Sequence, residues 1–183
     1  EAHGTGVLGK TGAGLSEEIG IQDEVDIIVG TFGKALAGMG AYVLTNTSSV
    51  IEYLTNIAGE YIYSTFLSPH QVGVASASID IIIKAQNKRN TLKSTSLWLR
   101  KRLEEFIDID TKYCTPIIPL VLGNPNDVMC FQKLCMDKNI LVGAIRPPTV
   151  PQGSSRIRIS INSELSKEKL EPLISIAKTW AEK

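Results

Sequence analysis

The sequence predicts an α/β fold in its first half and an α+β arrangement in its second, on three observations. Ten of the fifteen glycines fall within the first forty residues, around two short apolar strand-like runs. A long apolar helical stretch begins at Pro69. After it, strand-like and helical segments alternate up to an R-I-R-I-S-I run and a last amphipathic helix.

Each element has a local reason. Residues 25–31 (VDIIVGT) read as a buried strand and residues 41–45 (AYVLT) as a second one. Between them, FGKALAGMG is too small and glycine-rich to form an element of its own. Residues 48–58 read as a helix, and residues 61–65 as a short β-like segment. Ser68 suits an N-cap and Pro69 the first helical position. The following VGVASASIDIII predicts a buried helix packed closely against others. A second helix over residues 91–107 puts Leu92, Leu99, Leu103 and Phe106 on one face and turns Lys93, Arg100, Lys101 and Glu104 to water.

The later elements follow in the same way. Residues 115–122 (TPIIPLVL) read as a strand that Pro116 and Pro119 confine to an edge. Residues 127–138 read as a helix with Val128, Phe131, Leu134 and Cys135 on its inner side, ended by Asn139. Residues 140–143 give a short strand, and residues 156–161 alternate strictly. A final helix after Ser166 buries Leu170, Leu173, Ile174 and Ala177. The boundary between the two parts falls near residues 87–93, dividing the chain into 1–88 and 89–183.

Composition excludes several function classes. The 183 residues include 19 basic and 19 acidic ones, so no net charge favours nucleic acid or an anionic membrane. No apolar run approaches the roughly 20 residues that span a bilayer. Cys114, Cys130 and Cys135 lack zinc-site or C-x-x-C spacing, which fits a reduced, cytoplasmic protein without a metal centre. The chain starts at Glu1, inside a glycine-rich loop, and the expectation is that an N-terminal portion precedes it.

Residues 4–11 read GTGVLGKT, which fits the P-loop pattern G-x-x-x-x-G-K-[ST], and Gly4, Gly6 and Gly9 also satisfy G-x-G-x-x-G. A nucleotide-binding module is therefore one reading. Such loops work when a helix leaves them and aligns backbone amides on phosphate. Here Gly12 and Gly14 occupy the first turn of that helix, each costing about 1 kcal/mol against alanine. Residues 25–30 also end in glycine rather than in an acidic metal ligand. A flexible surface loop is the plain alternative.

Lys34 is a second candidate. It sits in GTFGKALAG, just after a predicted strand, where small apolar neighbours suggest an incompletely solvated ammonium. Desolvation favours the neutral amine, which suits Schiff-base chemistry with a carbonyl such as the aldehyde of pyridoxal 5'-phosphate (PLP). Thr31, three residues earlier, could offer a hydroxyl to a phosphate. The other reading is a lysine that snorkels from a turn into water. His3 is equally two-sided, as a functional ring or as a structural one beside a glycine loop.

Taken in order, residues 1–14 (EAHGTGVLGKTGAG), 26–43 (DIIVGTFGKALAGMGAYV), 61–71 (YIYSTFLSPHQ) and 146–162 (RPPTVPQGSSRIRISIN) resemble the α-oxoamine synthases. These are PLP enzymes of fold type I, the aspartate-aminotransferase-like fold. The resemblance implies part of a large PLP-binding domain followed by a small α+β domain. It implies that Lys34 forms the Schiff base and moves protons, and that His3 hydrogen-bonds the cofactor's phenolic oxygen. Thr31 would contact the cofactor phosphate. Ser64 and Thr65 would reach the phosphate of the neighbouring subunit in a homodimer with shared sites. Arg146 would bind the substrate carboxylate, with Thr149 close by, and a guanidinium fork suits that bidentate task.

The implied reaction is a decarboxylative condensation of L-alanine with a pimeloyl thioester, carried by CoA or by acyl carrier protein. Sister members of the family differ in amino acid and acyl group. The family aspartate that pairs with the pyridine nitrogen would directly precede Glu1, and the residue that stacks on the ring would lie in the N-terminal half.

Overall fold

A computed structural model describes residues 1–112 and 114–182. The chain divides into two compact units, Glu1–Arg89 and Asn90–Lys183. The elements run α1 (Leu15–Ile19), β1 (Ile28–Thr31), β2 (Ala41–Leu44), α2 (Ser48–Ile57), α3 (Gly59–Ile62), α4 (Pro69–Lys84), α5 (Gln86–Glu104), β3 (Ile117–Gly123), α6 (Pro125–Met136), β4 (Gly143–Ile145), β5 (Ser155–Ser160) and α7 (Lys167–Ala181).

In the first unit β1 and β2 form an antiparallel ribbon, with Ile28 opposite Leu44 and Thr31 opposite Ala41. Gly30 is required there, because a Cβ at that position would run into the Tyr42 ring. The expectation of a buried strand over 25–31 is corrected twice. The strand begins only at Ile28, and Ile27, Val29, Val43 and Leu44 are exposed. A two-stranded ribbon by itself does not bury its faces.

The β-like segment expected at 61–65 is instead the end of a helical turn. The amides of Tyr61 and Ile62 both donate to the Ala58 carbonyl, and Ser64 and Thr65 follow in an irregular stretch. Aromatic and branched residues mimic a strand there, but a 58–62 hydrogen-bond pair decides the backbone.

α4 starts where capping chemistry places it. Ser68 accepts from the Gln71 amide while the Gln71 side chain accepts from the Ser68 amide, a reciprocal capping box with Pro69 at the first turn. The helix is not buried as expected. Ala75 is its buried residue, while Val72, Ile79, Ile81 and Ile83 face outward. Beside Ala75, the half-buried Val74, Ser78 and Ile82 pack against loops.

The second unit holds the core. Leu99 and Leu103 of α5, Ile118 and Leu120 of β3, Phe131 and Cys135 of α6, Ile157 and Ile159 of β5, and Leu173 and Ala177 of α7 form one cluster. The sheet order is β3-β5-β4, all antiparallel, so the alternating strand lies centrally and the proline-containing β3 at an edge. Ile118 pairs with Ile159 and Leu120 with Ile157, which sends both isoleucines of β5 inward and Arg156 and Arg158 to the other face. Phe131 meets Trp180 edge-on at 5.5 Å, joining α6 to α7.

Two expectations change in this unit. The short strand lies at Gly143–Ile145 rather than at 140–143, because Asn139 takes a left-handed conformation and the chain is still turning off α6. Arg100 does not face water but is 3% exposed. Its guanidinium donates to the carbonyls of Asp110, Thr115 and Ile117, which ties α5 to the segment entering β3. Burial disfavours its charge, opposed by nearby Cys114 and Asp110. Among the described residues no helix is long and apolar enough to cross a membrane.

Candidate active site

Of the site residues predicted in the first unit, His3 and Lys34 lie on two adjacent loops beside α4, Thr31 ends β1, and Ser64 and Thr65 lie between α3 and α4. The Lys34 loop joins β1 to β2 and is closed by its own hydrogen bonds. The Phe32 amide donates to the Gly40 carbonyl, the Gly38 amide to the Phe32 carbonyl, and the Ala37 amide to the Lys34 carbonyl. Leu36, 2% exposed, anchors the turn inward, and the Ser78 hydroxyl of α4 donates to its carbonyl at 2.8 Å. Lys34 itself is exposed, so the expected desolvation of its ammonium is not supplied by this chain's own packing. Small neighbours hold the backbone close without covering a long side chain. Its amine has no hydrogen-bond or ion-pair partner among the described residues.

The His3 loop packs alongside. Gly6, at φ 82°, approaches the Lys34 loop so closely that a Cβ there would stand 2.8 Å from the Ala35 Cβ and 3.0 Å from Ile82 of α4. The Thr5 hydroxyl lies 2.8 Å from the Tyr42 hydroxyl on β2, a second tie between the loops. His3 is exposed within this turn, with its ring unpartnered among the described residues.

Of the amides that a P-loop would offer to phosphate, those of Gly9 and Thr11 are already taken by carboxylates of this chain and those of residues 4–8 by backbone carbonyls. Glu17 accepts from the Thr11 amide and hydroxyl at 3.0 Å and from the Ala13 amide at 3.0 Å, and Glu18 accepts from the Gly9 amide. Glu1 accepts from the Leu15 and Ser16 amides at 2.9 Å, filling the start of α1. With five residues in α1 and its first amides occupied, the nucleotide reading finds no free anion cradle at this loop among the described residues. Lys10 contributes its carbonyl, which accepts from the buried Arg89 guanidinium at 2.7 Å.

Thr31 is half-buried, and its hydroxyl is engaged. It donates to the Gly40 carbonyl and accepts from the Gly33 amide, both at 3.1 Å. A hydroxyl has one proton to donate, so a phosphate would have to take it from Gly40. Ser64 and Thr65 are exposed between α3 and α4, with no hydrogen-bond partner among the described residues.

Arg146 and Thr149 belong to the second unit. Arg146 follows β4 directly and opens a turn through the cis Pro147–Pro148 bond, closed by the Thr149 amide on the Arg146 carbonyl at 3.0 Å. Both side chains are exposed, and the Arg146 guanidinium has no partner among the described residues. Sequence reasoning overlooked Arg158, another guanidinium without a partner among the described residues, on the adjacent strand opposite Pro119 and Gly143. Its signal was the R-I-R-I alternation, which had been used only to assign a strand. Ser78 and Glu17 were overlooked too, since neither carries a local mark of its distant partner.

An exposed amine on a pinned turn with a histidine loop beside it gives the first unit groups suited to a phosphorylated aldehyde, and the exposed Arg146 guanidinium of the second unit suits a carboxylate. Residues 1–176 match the aminotransferase class I and II family, and the chain belongs to that family. It is 40% identical over 176 residues to 8-amino-7-oxononanoate synthase of Lysinibacillus sphaericus, covering 96% of this chain and 45% of that one. It is 42% identical over 171 residues to a putative 8-amino-7-oxononanoate synthase of Acetivibrio thermocellus, covering 93% of this chain and 44% of the relative. Among solved structures, all of this chain superposes on 46% of Sphingomonas wittichii serine palmitoyltransferase, with a TM-score of 0.90 and 28% identity. It also superposes on 53% of the 8-amino-7-oxononanoate synthase of Francisella tularensis, with a TM-score of 0.88 and 27% identity. The chain thus spans about half the length of the relatives it matches. Its fold is the α/β fold of the PLP-dependent aminotransferase family, with structural neighbours among the α-oxoamine synthases.

Proposed function

We propose that this chain is part of a PLP-dependent α-oxoamine synthase that joins L-alanine to a pimeloyl thioester with loss of CO2, giving 8-amino-7-oxononanoate on the route to biotin. The observation that carries the reading is Lys34, an exposed amine without a partner among the described residues, on a turn pinned by Leu36 and Ser78, with the His3 loop packed beside it. Similarity to 8-amino-7-oxononanoate synthases along almost the whole chain supports the choice within the family.

Bound here, PLP would supply an electron sink for charge developing on the amino acid's α-carbon. Lys34 would hold the cofactor's aldehyde through Nζ, then take the α-proton and later return one. His3 would donate to the phenolic oxygen. Thr31 would release Gly40 to donate to the phosphate, and Ser64 and Thr65 would serve the phosphate of a second subunit. Arg146 would grip the alanine carboxylate until it leaves as CO2, with Thr149 beside it. In the overall change, the α-carbon bonds to the thioester carbonyl carbon, the thiolate of the carrier departs, and a proton replaces the lost carboxylate.

A homodimer fits the apolar side chains that the first unit leaves exposed, among them Val43, Tyr63 and Phe66. A cytoplasmic location fits three free cysteines. The sister activities are 2-amino-3-ketobutyrate CoA ligase, 5-aminolevulinate synthase and serine palmitoyltransferase, and the last has support from the solved structures.

The test uses the full-length enzyme. PLP should give a visible absorbance band that borohydride reduces and Lys34→Ala abolishes. A colourless protein that instead binds ATP would sink the reading. Turnover of alanine, glycine and serine with CoA and carrier-protein thioesters then assigns the member, and a preference for glycine or serine removes the biotin assignment.

A further inference from the structure

The glycine loop that carries His3 is held in shape by a carboxylate from outside it. Glu17 lies on α1, and its two oxygens gather the Thr11 amide, the Thr11 hydroxyl and the Ala13 amide within 3.0–3.1 Å. Those residues are cross-linked to the front of the loop by two backbone bonds. The Gly6 amide donates to the Gly12 carbonyl at 2.7 Å, and the Gly14 amide to the Leu8 carbonyl at 3.1 Å. The front of the loop is the part that abuts Ala35 and carries His3. An unbroken chain of contacts therefore runs from Glu17 through Thr11–Ala13 and Gly6 to the segment beside Lys34.

We infer that Glu17 is a positioning residue for His3, setting through the Thr11 and Ala13 amides where that ring meets the cofactor. The inference rests on the proposed PLP site. Neutral substitutes cannot do the same work. Four donor contacts converge on two oxygens, and glutamine would turn an NH2 group toward N–H donors. Aspartate is one methylene too short to reach from α1. With the clamp lost, residues 9–14 retain many conformers, because their glycines permit them.

The experiment is a double-mutant cycle in the full-length enzyme, read by the visible absorbance of bound PLP as well as by kinetics. Glu17→Gln should move the band in the same direction as His3→Ala and lower kcat/KM by roughly 10- to 100-fold, the size of loss that displacing a positioned group brings. In the double variant the second change should add nothing to the band shift or the rate loss. Thr11→Val, which removes only the hydroxyl contact, should show a smaller shift of the same sign and guards against misfolding of Glu17→Gln. Independent, additive effects of His3 and Glu17, or a band unchanged in both Glu17→Gln and Thr11→Val, would overturn the assignment of Glu17 alone. A wild-type enzyme with no band at all removes the PLP reading and this role with it.

Discussion

The hydroxyl of Ser78, on α4, donates to the carbonyl of Leu36 at 2.8 Å, two residues beyond Lys34. This bond and the burial of Leu36 are what hold the Lys34 turn against the helix. Ser78→Ala should leave that carbonyl unpaired in a partly buried place and cost about 1 kcal/mol, read as a lower urea midpoint. Because the turn also aims Lys34, PLP affinity should fall as well, whereas Ser78→Thr, which keeps the donor, should retain most of both. Equal midpoints for wild type and Ser78→Ala would show that this hydrogen bond does not anchor the turn.

The Glu17 clamp should open in acid. Burial, the largest single influence, works against ionisation, but the hydrogen bonds from the Ala13 and Thr11 amides and the Thr11 hydroxyl together outweigh it, so the carboxyl stays below its ordinary value of 4.5. A depressed folded value means that its contribution is complete above that ordinary value and is lost as pH falls through the depressed one. The Thr11 and Ala13 amide resonances should therefore be flat from pH 5 to 8 and move together below 4.5. Movement centred above 4.5, or none in acid, would contradict the clamp.

What the sequence disclosed, and what it hid, follows the range of the interactions. The start of α4 was legible because Ser68, Pro69 and Gln71 carry a cap whose partners lie three residues apart. The last helix was legible because Leu170, Leu173, Ile174 and Ala177 repeat at helical spacing and all become buried. Arg100 misled because its partners, the carbonyls of Asp110, Thr115 and Ile117, lie 10 to 17 residues away and leave no trace in a helical wheel. The environment of Lys34 misled for a related reason. Small neighbours in sequence limit the backbone, but only distant side chains or another chain can shield an amine. His3, Lys34 and Thr31 came from residue type and resemblance, and their adjacency through Gly6, Ala35 and Tyr42 was visible only in three dimensions.

The two cysteines of α6 should differ sharply in chemistry. Cys135 is fully buried in the core, and burial pushes its thiol up from 9.0 to about 11, while Cys130 is exposed. Thiolate is the reactive form, so at pH 8 a maleimide or disulfide reagent should label Cys130 quickly and Cys135 only after unfolding. The same displacement carries a stability consequence. A thiol whose folded value is raised contributes fully below 9 and loses that contribution as pH rises toward 11, because the unfolded chain gives up a proton that the fold retains. Urea midpoints should therefore decline between pH 9 and 11, and Cys135→Ala should remove part of that decline while Cys130→Ala leaves it intact. Labelling of Cys135 at the same rate as Cys130 in the folded protein would place α6 differently from the arrangement described.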